Sequence, residues 1–312
     1  MKNRHGKSLL LGLVLLACAA GWLSGCTETR EEPAPAAPAG KKVTIKIGII
    51  PEQNLFQQKK RYDPLVDYLG RHAGVVIELD MLSRYGNIID TFVSNNLDGA
   101  FFGSFTGAMA LKRLEVEPLV RPEALDGHST YFGLIFTRKE SGIRNGAAMR
   151  GKRFVFVDKA TTAGWLLPLF YFQEQGIGDY NSWFGETYFS GTHEDAIYDV
   201  LDKKADVGAA KNTVFYRLAD QDPRILEQLT ILASSPDVPE NGLFLRSNID
   251  AALKEKIRRT LLRMDQDEPG RRILRDFGAI RFIPTTREDY NPVLEYAARA
   301  GIDLANYDYY NK

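Results

Sequence analysis

The sequence predicts an α/β fold made of two similar lobes, and three observations support this prediction. Short β-branched strand patterns alternate with helical patterns along most of the chain, which is the order expected of βαβ units. This order occurs in two consecutive runs, and a helical tail follows them. The 312 residues are 44% hydrophobic and 26% charged, an ordinary globular composition whose length favours about two domains.

The first run begins with VTIKIGII at residues 43–50, where apolar and polar residues alternate and β-branched residues are frequent. This pattern predicts a strand, because successive side chains of a strand point to opposite faces. The following pattern predicts, in order, a helix over 58–71, a strand over 75–82, a helix over 86–95, a strand over 98–102 and a helix from Ser104 to Leu114.

The second run begins with the apolar strand pattern STYFGLIFTR at residues 129–138. We expect further strands at 153–157, 187–190, 206–210, 229–234 and 243–247. The helical patterns of this run and of the tail cover 162–175, 193–203, 250–265, 268–276 and 286–300.

The N-terminus has the pattern of a targeting segment. Lys2, Arg4 and Lys7 precede an apolar stretch from residue 9 to residue 23, which is short for a membrane-spanning helix. The stretch ends in Leu23-Ser24-Gly25-Cys26, which resembles the lipobox of bacterial lipoproteins. That resemblance implies a signal peptide over 1–25 and a lipid anchor on Cys26. A plain secretory signal and an uncleaved anchor remain as alternatives.

Loss of the signal peptide would remove Cys18 and three basic residues, leaving 37 basic against 40 acidic residues. A chain with no basic excess is not expected to bind nucleic acid. Only Cys26 would remain, so we expect no disulfide within the folded part. Residues 27–42, which read TETREEPAPAAPAGKK, have the composition of a disordered tether.

Three strand-to-helix turns are rich in small and hydroxyl residues: Gly103 to Thr106, Ala160 to Gly164, and Ser190 to His193. A helix N-terminus exposes unpaired N–H groups and the positive end of its dipole, so an oxyanion can bind there without a cationic side chain. Ordinary helix capping, which also prefers Ser and Thr, is the alternative explanation.

The order and spacing of several segments resemble the phosphate, phosphite and phosphonate binding proteins of ABC importers. The most specific segment is DKATTAGWLLP, from Asp158 to Pro168. The matching segments around it are YDPLVDYL at 62–69, SRYGNIID with Tyr85, DGAFFGSFTGAMA at 98–110 and SGTHEDAIYDVLDKKADVGA at 190–209.

The resemblance implies a type II periplasmic-binding-protein fold, in which each lobe is a mostly parallel sheet flanked by helices. We expect residues 43–128 and 241–312 to form lobe 1 and residues 129–240 to form lobe 2. Two hinge strands, near 126–138 and 236–246, would join them. The chain would be an extracytoplasmic, lipid-anchored monomer that delivers a small oxyanion to a membrane permease.

The resemblance also assigns a ligand site. Hydroxyl and main-chain donors would come from Thr161, Thr162, Ala163 and Gly164, and an imidazole N–H from His193. From lobe 1, Tyr85 would donate its phenol and Ser104 a hydroxyl or an N–H. The remaining candidate residues are Phe102, as a wall of the pocket, and Asn241.

The sequence departs from the family at several of these positions. Family members that take aminoalkylphosphonates pair the ligand ammonium with carboxylates, but the aligned positions are Asn212 or Thr213 and Asn241. We therefore expect a ligand without an amino group, such as phosphate, phosphite or a simple alkylphosphonate. Phe102 and Ala163 each replace a hydroxyl donor. Lys211 follows a strand that is expected to end at the cleft. We expect it to be a solvated surface lysine, with a charge contact to the ligand as the alternative.

Two other functions remain as alternatives. A binding protein that senses a different small anion or an organic solute, and presents it to a signalling receptor, would need no additional domain in this chain. A hydrolase is disfavoured, because the sequence contains no nucleophile elbow, HExxH motif, phosphate-binding loop or dinucleotide fingerprint in a suitable context. We expect no catalytic residue, metal ion or cofactor.

Overall fold

The computed structural model describes residues 42–311. The predicted signal peptide, the predicted lipidation site at Cys26 and nearly all of the predicted tether lie outside these residues. Within residues 42–311, no helix combines the length and the apolar character that crossing a membrane requires.

The described part contains thirteen strands and eleven α-helices. The strands β1 to β13 are, in chain order, Thr44–Ile49, Val76–Met81, Gly99–Phe102, Val116–Ala124, Thr130–Tyr131, Gly133–Arg138, Arg153–Phe156, Glu186–Phe189, Val207–Lys211, Leu229–Ser234, Val238–Pro239, Gly242–Arg246 and Ala279–Pro284. The helices α1 to α11 are Leu55–Ala73, Ile88–Ser94, Ser104–Arg113, Leu167–Glu174, Tyr180–Trp183, His193–Leu201, Asn212–Ala219, Arg224–Gln228, Ala251–Leu262, Glu268–Phe277 and Asn291–Arg299.

Two sheets flanked by helices form two lobes, which confirms the predicted fold class. The first sheet has the strand order β13-β4-β12-β3-β1-β2, and the second has the order β10-β6-β9-β7-β8. The short strands β5 and β11 pair antiparallel in both connections between the sheets, with Tyr131 opposite Val238. The limits given above for the two lobes stay a prediction.

Each sheet is mixed, and the expectation of mostly parallel sheets holds only for part of each. Strand β1 runs parallel to β2 and β3, and β7 runs parallel to β8 and β9. Strands β12, β4 and β13 pair antiparallel in the first sheet, as do β6 and β10 in the second. The antiparallel pairs arise where the chain returns from one lobe to the other or enters the tail.

Strand β4 is absent from the sequence-based prediction, although it pairs with strands on both sides. Its sequence, VEPLVRPEA, contains Pro118 and Pro122, which lack the N–H donor and therefore argue against an inner strand. The pairing with β12 shifts register next to Pro118, and the pairing with β13 is also irregular. These irregularities let a strand with two prolines remain inside the sheet.

The hydrophobic core extends from one lobe into the other. In lobe 1, Phe102 packs between Phe92 and Phe244, with ring centroids 5.9 and 5.3 Å away. The same buried cluster continues through Phe105 and Tyr131 into the second sheet. Because apolar burial is continuous across the junction, the lobes lie against each other in a closed arrangement.

The C-terminal segment after α11 contacts both lobes. The guanidinium of Arg113 in lobe 1 donates to the carbonyl oxygens of Leu304 and Tyr307, each at 2.7 Å. The hydroxyl of Tyr307 donates to the carbonyl of Lys159, 3.1 Å away, and the Lys159 N–H donates to Asn311 at 3.0 Å. The tail therefore ties helix α3 to the loop that follows β7.

Gly99 offers a test of this packing, because β3 and β12 approach closely at that residue. A Cβ at position 99 would lie 2.4 Å from Leu245 Cδ2 and 2.5 Å from the carbonyl oxygen of Phe244. We predict that Gly99→Ala lowers the free energy of unfolding by about 1–3 kcal/mol. Urea unfolding would measure this as a lower midpoint with an unchanged slope.

Gly178→Ala is the matched control, because no atom lies within 4 Å of a Cβ at this position. Its free energy of unfolding should change by no more than about 0.5 kcal/mol. Equal stability of the two variants would show that the described approach of β12 to β3 is wrong.

Candidate functional site

A small cavity lies where the two lobes and the hinge strands meet, close to the carboxyl ends of several strands. Its volume is about 10 Å³, far below the usual range for ligand pockets. We call it the donor-lined cavity. Its walls are formed by Ile50, Glu52, Tyr85, Gly103, Phe105, Thr106, Tyr131, Ala160, Thr161, Thr162, His193, Lys211 and Asn241.

A cluster of three buried hydroxyl groups joins the lobes beside this cavity. Ser104 Oγ, at the start of α3, lies 2.6 Å from the hydroxyl of Tyr131 and 2.9 Å from Thr162 Oγ1. The backbone N–H of Phe105 donates to the same Thr162 oxygen at 2.9 Å. Thr162 opens a π-helical turn over 162–166, so the helix starts of both lobes meet at its side chain.

His193 begins helix α6 and faces the cavity as a neutral ring. Its Nδ1 accepts the backbone N–H of Lys211 at 3.2 Å, so the neutral ring carries its proton on Nε2. Burial lowers the pKa of His193 to about 3; the Glu52 carboxylate opposes this shift, and the Lys211 charge adds to it. The imidazole is therefore an uncharged N–H donor at neutral pH.

Tyr85 provides a second donor, from the turn before α2. Its hydroxyl is buried and has no hydrogen-bond partner within residues 42–311. Burial, together with the nearby carboxylate of Glu52, raises the pKa of this phenol well above its usual value, so the proton is retained. A buried donor without a partner is costly, and such groups therefore often mark a place for a ligand.

The hydroxyl of Thr161 is engaged within its own loop. It donates to the carbonyl oxygen of Asp158 at 2.7 Å, and the Thr161 N–H donates to the same oxygen at 2.9 Å. Thr161 therefore holds the turn that presents Thr162. Burial raises the pKa of Asp158 to about 6, even though its carboxylate accepts the Ala160 N–H at 2.8 Å.

Lys211 ends strand β9 and is buried, with 3% of its surface exposed, so the expectation of a solvated lysine is wrong. Its Nζ lies 2.8 Å from Glu52 Oε1, 2.6 Å from Glu240 Oε2 and 3.3 Å from Asn241 Oδ1. Burial would lower the pKa of Lys211, but Glu240 and Glu52 outweigh it and raise this pKa above its usual value. These three acceptors match the three N–H donors of an ammonium.

Five of the nine predicted ligand-binding residues line the donor-lined cavity: Tyr85, Thr161, Thr162, His193 and Asn241. Ser104 lies directly behind Thr162. Asn241 is committed elsewhere, because its amide donates to Glu52 Oε1 at 2.9 Å and its Oδ1 accepts from Lys211.

The structure places the other three predicted residues away from the cavity wall. Phe102 lies in the core of lobe 1, between two phenylalanines. Ala163 packs against Gly133 on the hinge side, and Gly164 packs against Val157, whose Cβ leaves no room for a side chain. These residues shape the turn after β7, and they do not form the lining.

Sequence reasoning missed Glu52, Tyr131 and Glu240. Glu52 comes three residues after β1, at the sheet edge where ligands bind in α/β folds, and that position was a usable signal. Tyr131 and Glu240 lie in the predicted hinge segments, which were treated as connections only. Tyr131 supplies a phenol hydroxyl to the cluster, although the sequence alone suggested that Phe102 had removed one.

No group of His, Cys, Asp and Glu within residues 42–311 has an arrangement that could hold a metal ion. The donor-lined cavity is surrounded by hydroxyl, imidazole and amide groups, together with the ion pair of Glu52 and Lys211.

Comparison with known proteins places this chain in a family. Residues 47–290 match the profile described as "ABC transporter, phosphonate, periplasmic substrate-binding protein". The phosphonates-binding periplasmic protein of Escherichia coli K12 is 26% identical over 228 residues, which cover 72% of this chain and 67% of the relative. The phosphate-import protein PhnD of Mycolicibacterium smegmatis is 27% identical over 208 residues, which cover 64% of each chain. The aligned parts thus span about two thirds of these relatives.

A solved structure supports the fold. The binding protein component of an ABC phosphonate transporter from Pseudomonas aeruginosa superposes with a TM-score of 0.78 and 22% identity, covering 84% of this chain and 87% of that one. The profile match spans most of the described residues, and the fold agrees with it. This chain therefore belongs to the periplasmic substrate-binding proteins of ABC phosphonate transporters, and it is an extracytoplasmic binding protein and not an enzyme.

Proposed function

We propose that the chain captures a small phosphorus oxyanion, namely phosphate, phosphite or a simple alkylphosphonate, in the donor-lined cavity. The observation that carries this proposal is the buried hydroxyl of Tyr85, which has no partner within residues 42–311 and lines the same cavity as His193 and Thr162. An anion there would accept from the Tyr85 O–H, the His193 Nε2–H and the hydroxyl cluster.

The names of two relatives support phosphorus as the central atom. The Escherichia coli relative is named for phosphonates, and the Mycolicibacterium smegmatis relative is named for phosphate import. Tetrahedral oxyanions of this kind suit donors that converge from several directions. Helices α3 and α6 begin at this cavity, and the positive ends of their dipoles favour a negative charge there.

We expect uncharged hydrogen-bond donors to hold the anion. Lys211 is the cation in the lining, and its three N–H donors already face two carboxylates and an amide. The anion would therefore be held by hydrogen bonds in a dehydrated site, where each bond to a charged group is stronger than a neutral one.

Ligand binding and closure of the lobes are coupled, because hydrogen bonds between the lobes lie beside the cavity. Thr162 of lobe 2 bonds Ser104 and Phe105 of lobe 1, and the His193 N–H donates to the carbonyl of Glu52 at 3.2 Å. A ligand that contacts donors of both lobes favours the closed form, because it gains those contacts only there. The closed form would dock as a monomer on the membrane permease.

The membrane attachment is proposed from the sequence alone. Cleavage before Cys26 and acylation of its sulfur would tether the folded part to a membrane, with residues 27–42 as a spacer.

Calorimetric titration of the purified protein tests the ligand. We predict binding of at least one of phosphate, phosphite and methylphosphonate, weaker binding of 2-aminoethylphosphonate, and no tight binding of sulfate. Thr162→Ala should weaken the best ligand about 10- to 100-fold, because it removes one hydrogen bond to a charged group.

The control is Thr260→Ala, whose hydroxyl bonds Lys256 in helix α9 outside the cavity, and affinity should stay unchanged. Unaltered affinity in Thr162→Ala would refute the site. Binding of sulfate or an uncharged solute alone would refute the phosphorus ligand and leave the fold intact.

The protonation of His193 is the second test. Between its folded pKa of about 3 and the ordinary value of 6.5, the unfolded chain binds a proton that the folded chain does not. The contribution of His193 to stability is therefore complete above pH 6.5 and is lost as the pH falls toward 3. Nitrogen NMR of the ring, assigned with His193→Gln, should show a neutral Nε2–H form throughout pH 5–8. A titration midpoint near 6.5 would contradict the neutral-donor role.

The lipid anchor is tested in a bacterial host by fractionation. Cys26→Ser should move the protein from the membrane fraction to the soluble extracytoplasmic fraction, whereas Cys18→Ser should leave it in the membrane fraction. Membrane association of Cys26→Ser would refute acylation at this residue.

A further inference from the structure

Lys211 occupies a site that is built to hold an ammonium group. Carboxylate oxygens of Glu52 and Glu240 lie 2.8 and 2.6 Å from its Nζ, and the amide oxygen of Asn241 lies at 3.3 Å. The ring face of Tyr131 covers the same nitrogen, with its centroid 4.3 Å away. These four groups are called the ammonium cage below. All of them are buried.

The ammonium cage adjoins the proposed oxyanion position. Tyr131 belongs to both, because its ring faces the ammonium while its hydroxyl lies 2.6 Å from Ser104 Oγ. Glu52, Lys211 and Asn241 line the donor-lined cavity and also a second cavity that contains Arg61 and Arg217. The lysine side chain therefore stands between the two cavities.

We propose that Lys211 determines specificity, because its own ammonium fills the cage and thereby excludes phosphonates that carry an amino group. An aminoalkylphosphonate bears an anionic head and an ammonium a short alkyl chain apart, so it would need both positions at once. In this chain the second position is taken, because Glu52, Glu240 and Asn241 already accept from Lys211.

The class of ligand in this proposal for Lys211 rests on the proposed function. The ammonium cage itself can be tested without any phosphorus compound. Lys211→Ala leaves Glu52 and Glu240 without their ammonium partner, and buried carboxylates without a partner are strongly destabilising. We expect ethylammonium to raise the melting temperature of Lys211→Ala and not that of the unaltered protein. Lys211→Ala combined with Glu240→Gln should respond less.

The specificity arm compares 2-aminoethylphosphonate with n-propylphosphonate, in which a methyl group replaces the ammonium. Lys211→Ala should bind the amino compound at least about tenfold more tightly than the unaltered protein does. Its affinity for n-propylphosphonate should not rise by a similar factor. Adding Glu240→Gln should abolish this gain. If Lys211→Ala does not fold alone, the refolded yield with and without ethylammonium gives the same comparison.

The outcomes separate the two proposals. Rescue by ethylammonium, with no binding of phosphate, phosphite or methylphosphonate by the unaltered protein, would keep the cage and refute the proposed function. Binding of methylphosphonate by the unaltered protein, with no rescue and no gain for 2-aminoethylphosphonate, would refute the role of Lys211 alone. Equal affinity of the unaltered protein for 2-aminoethylphosphonate and methylphosphonate would also overturn it.

Discussion

The ammonium of Lys211 is buried where the two lobes meet the hinge, and the carboxylates of Glu52 and Glu240 hold it there. Glu52 follows the first strand of lobe 1, Lys211 ends a strand of lobe 2, and Glu240 lies beside a hinge strand. Each buried ion loses several kcal/mol of hydration, and removing one partner of such a pair commonly costs about 3–5 kcal/mol. The relative position of lobes and hinge is therefore restricted to arrangements in which these three charges meet.

The ion pairs of Lys211 also affect the donor-lined cavity, because they leave it with uncharged hydrogen-bond donors. Because both carboxylates pair with the Lys211 ammonium, this lysine has no free positive charge for a ligand, and the proposed oxyanion would be held by uncharged donors. His193 is kept neutral by burial, and its Nδ1 is occupied by the Lys211 N–H, which leaves Nε2–H as the donor. The backbone N–H of Lys211 thus fixes the tautomer of the His193 ring, and the side-chain ammonium of the same residue fills the adjacent cage.

Strand and helix patterns in the sequence predicted the two-lobed α/β fold, because apolar periodicity reports local structure directly. The same patterns missed β4, whose two prolines argue against an inner strand. The hydroxyl-rich turns led to Thr162 and His193, since their position at helix starts is visible in the sequence. Glu52 and Glu240 were missed because their partner, Lys211, is 159 and 29 residues away along the chain. Only the tertiary arrangement reveals that a lysine near a strand end is buried and paired.

We propose above that donors of both lobes bind one phosphorus oxyanion inside the donor-lined cavity. A crystal structure of the protein grown with methylphosphonate tests it most directly. We expect phosphonate oxygens within hydrogen-bond distance of Tyr85 Oη, Thr162 Oγ1 and His193 Nε2, with Lys211 still held by Glu52 and Glu240. A phosphonate bound outside this cavity, or inside it without contact to any of the three donors, would show that the proposed site is wrong.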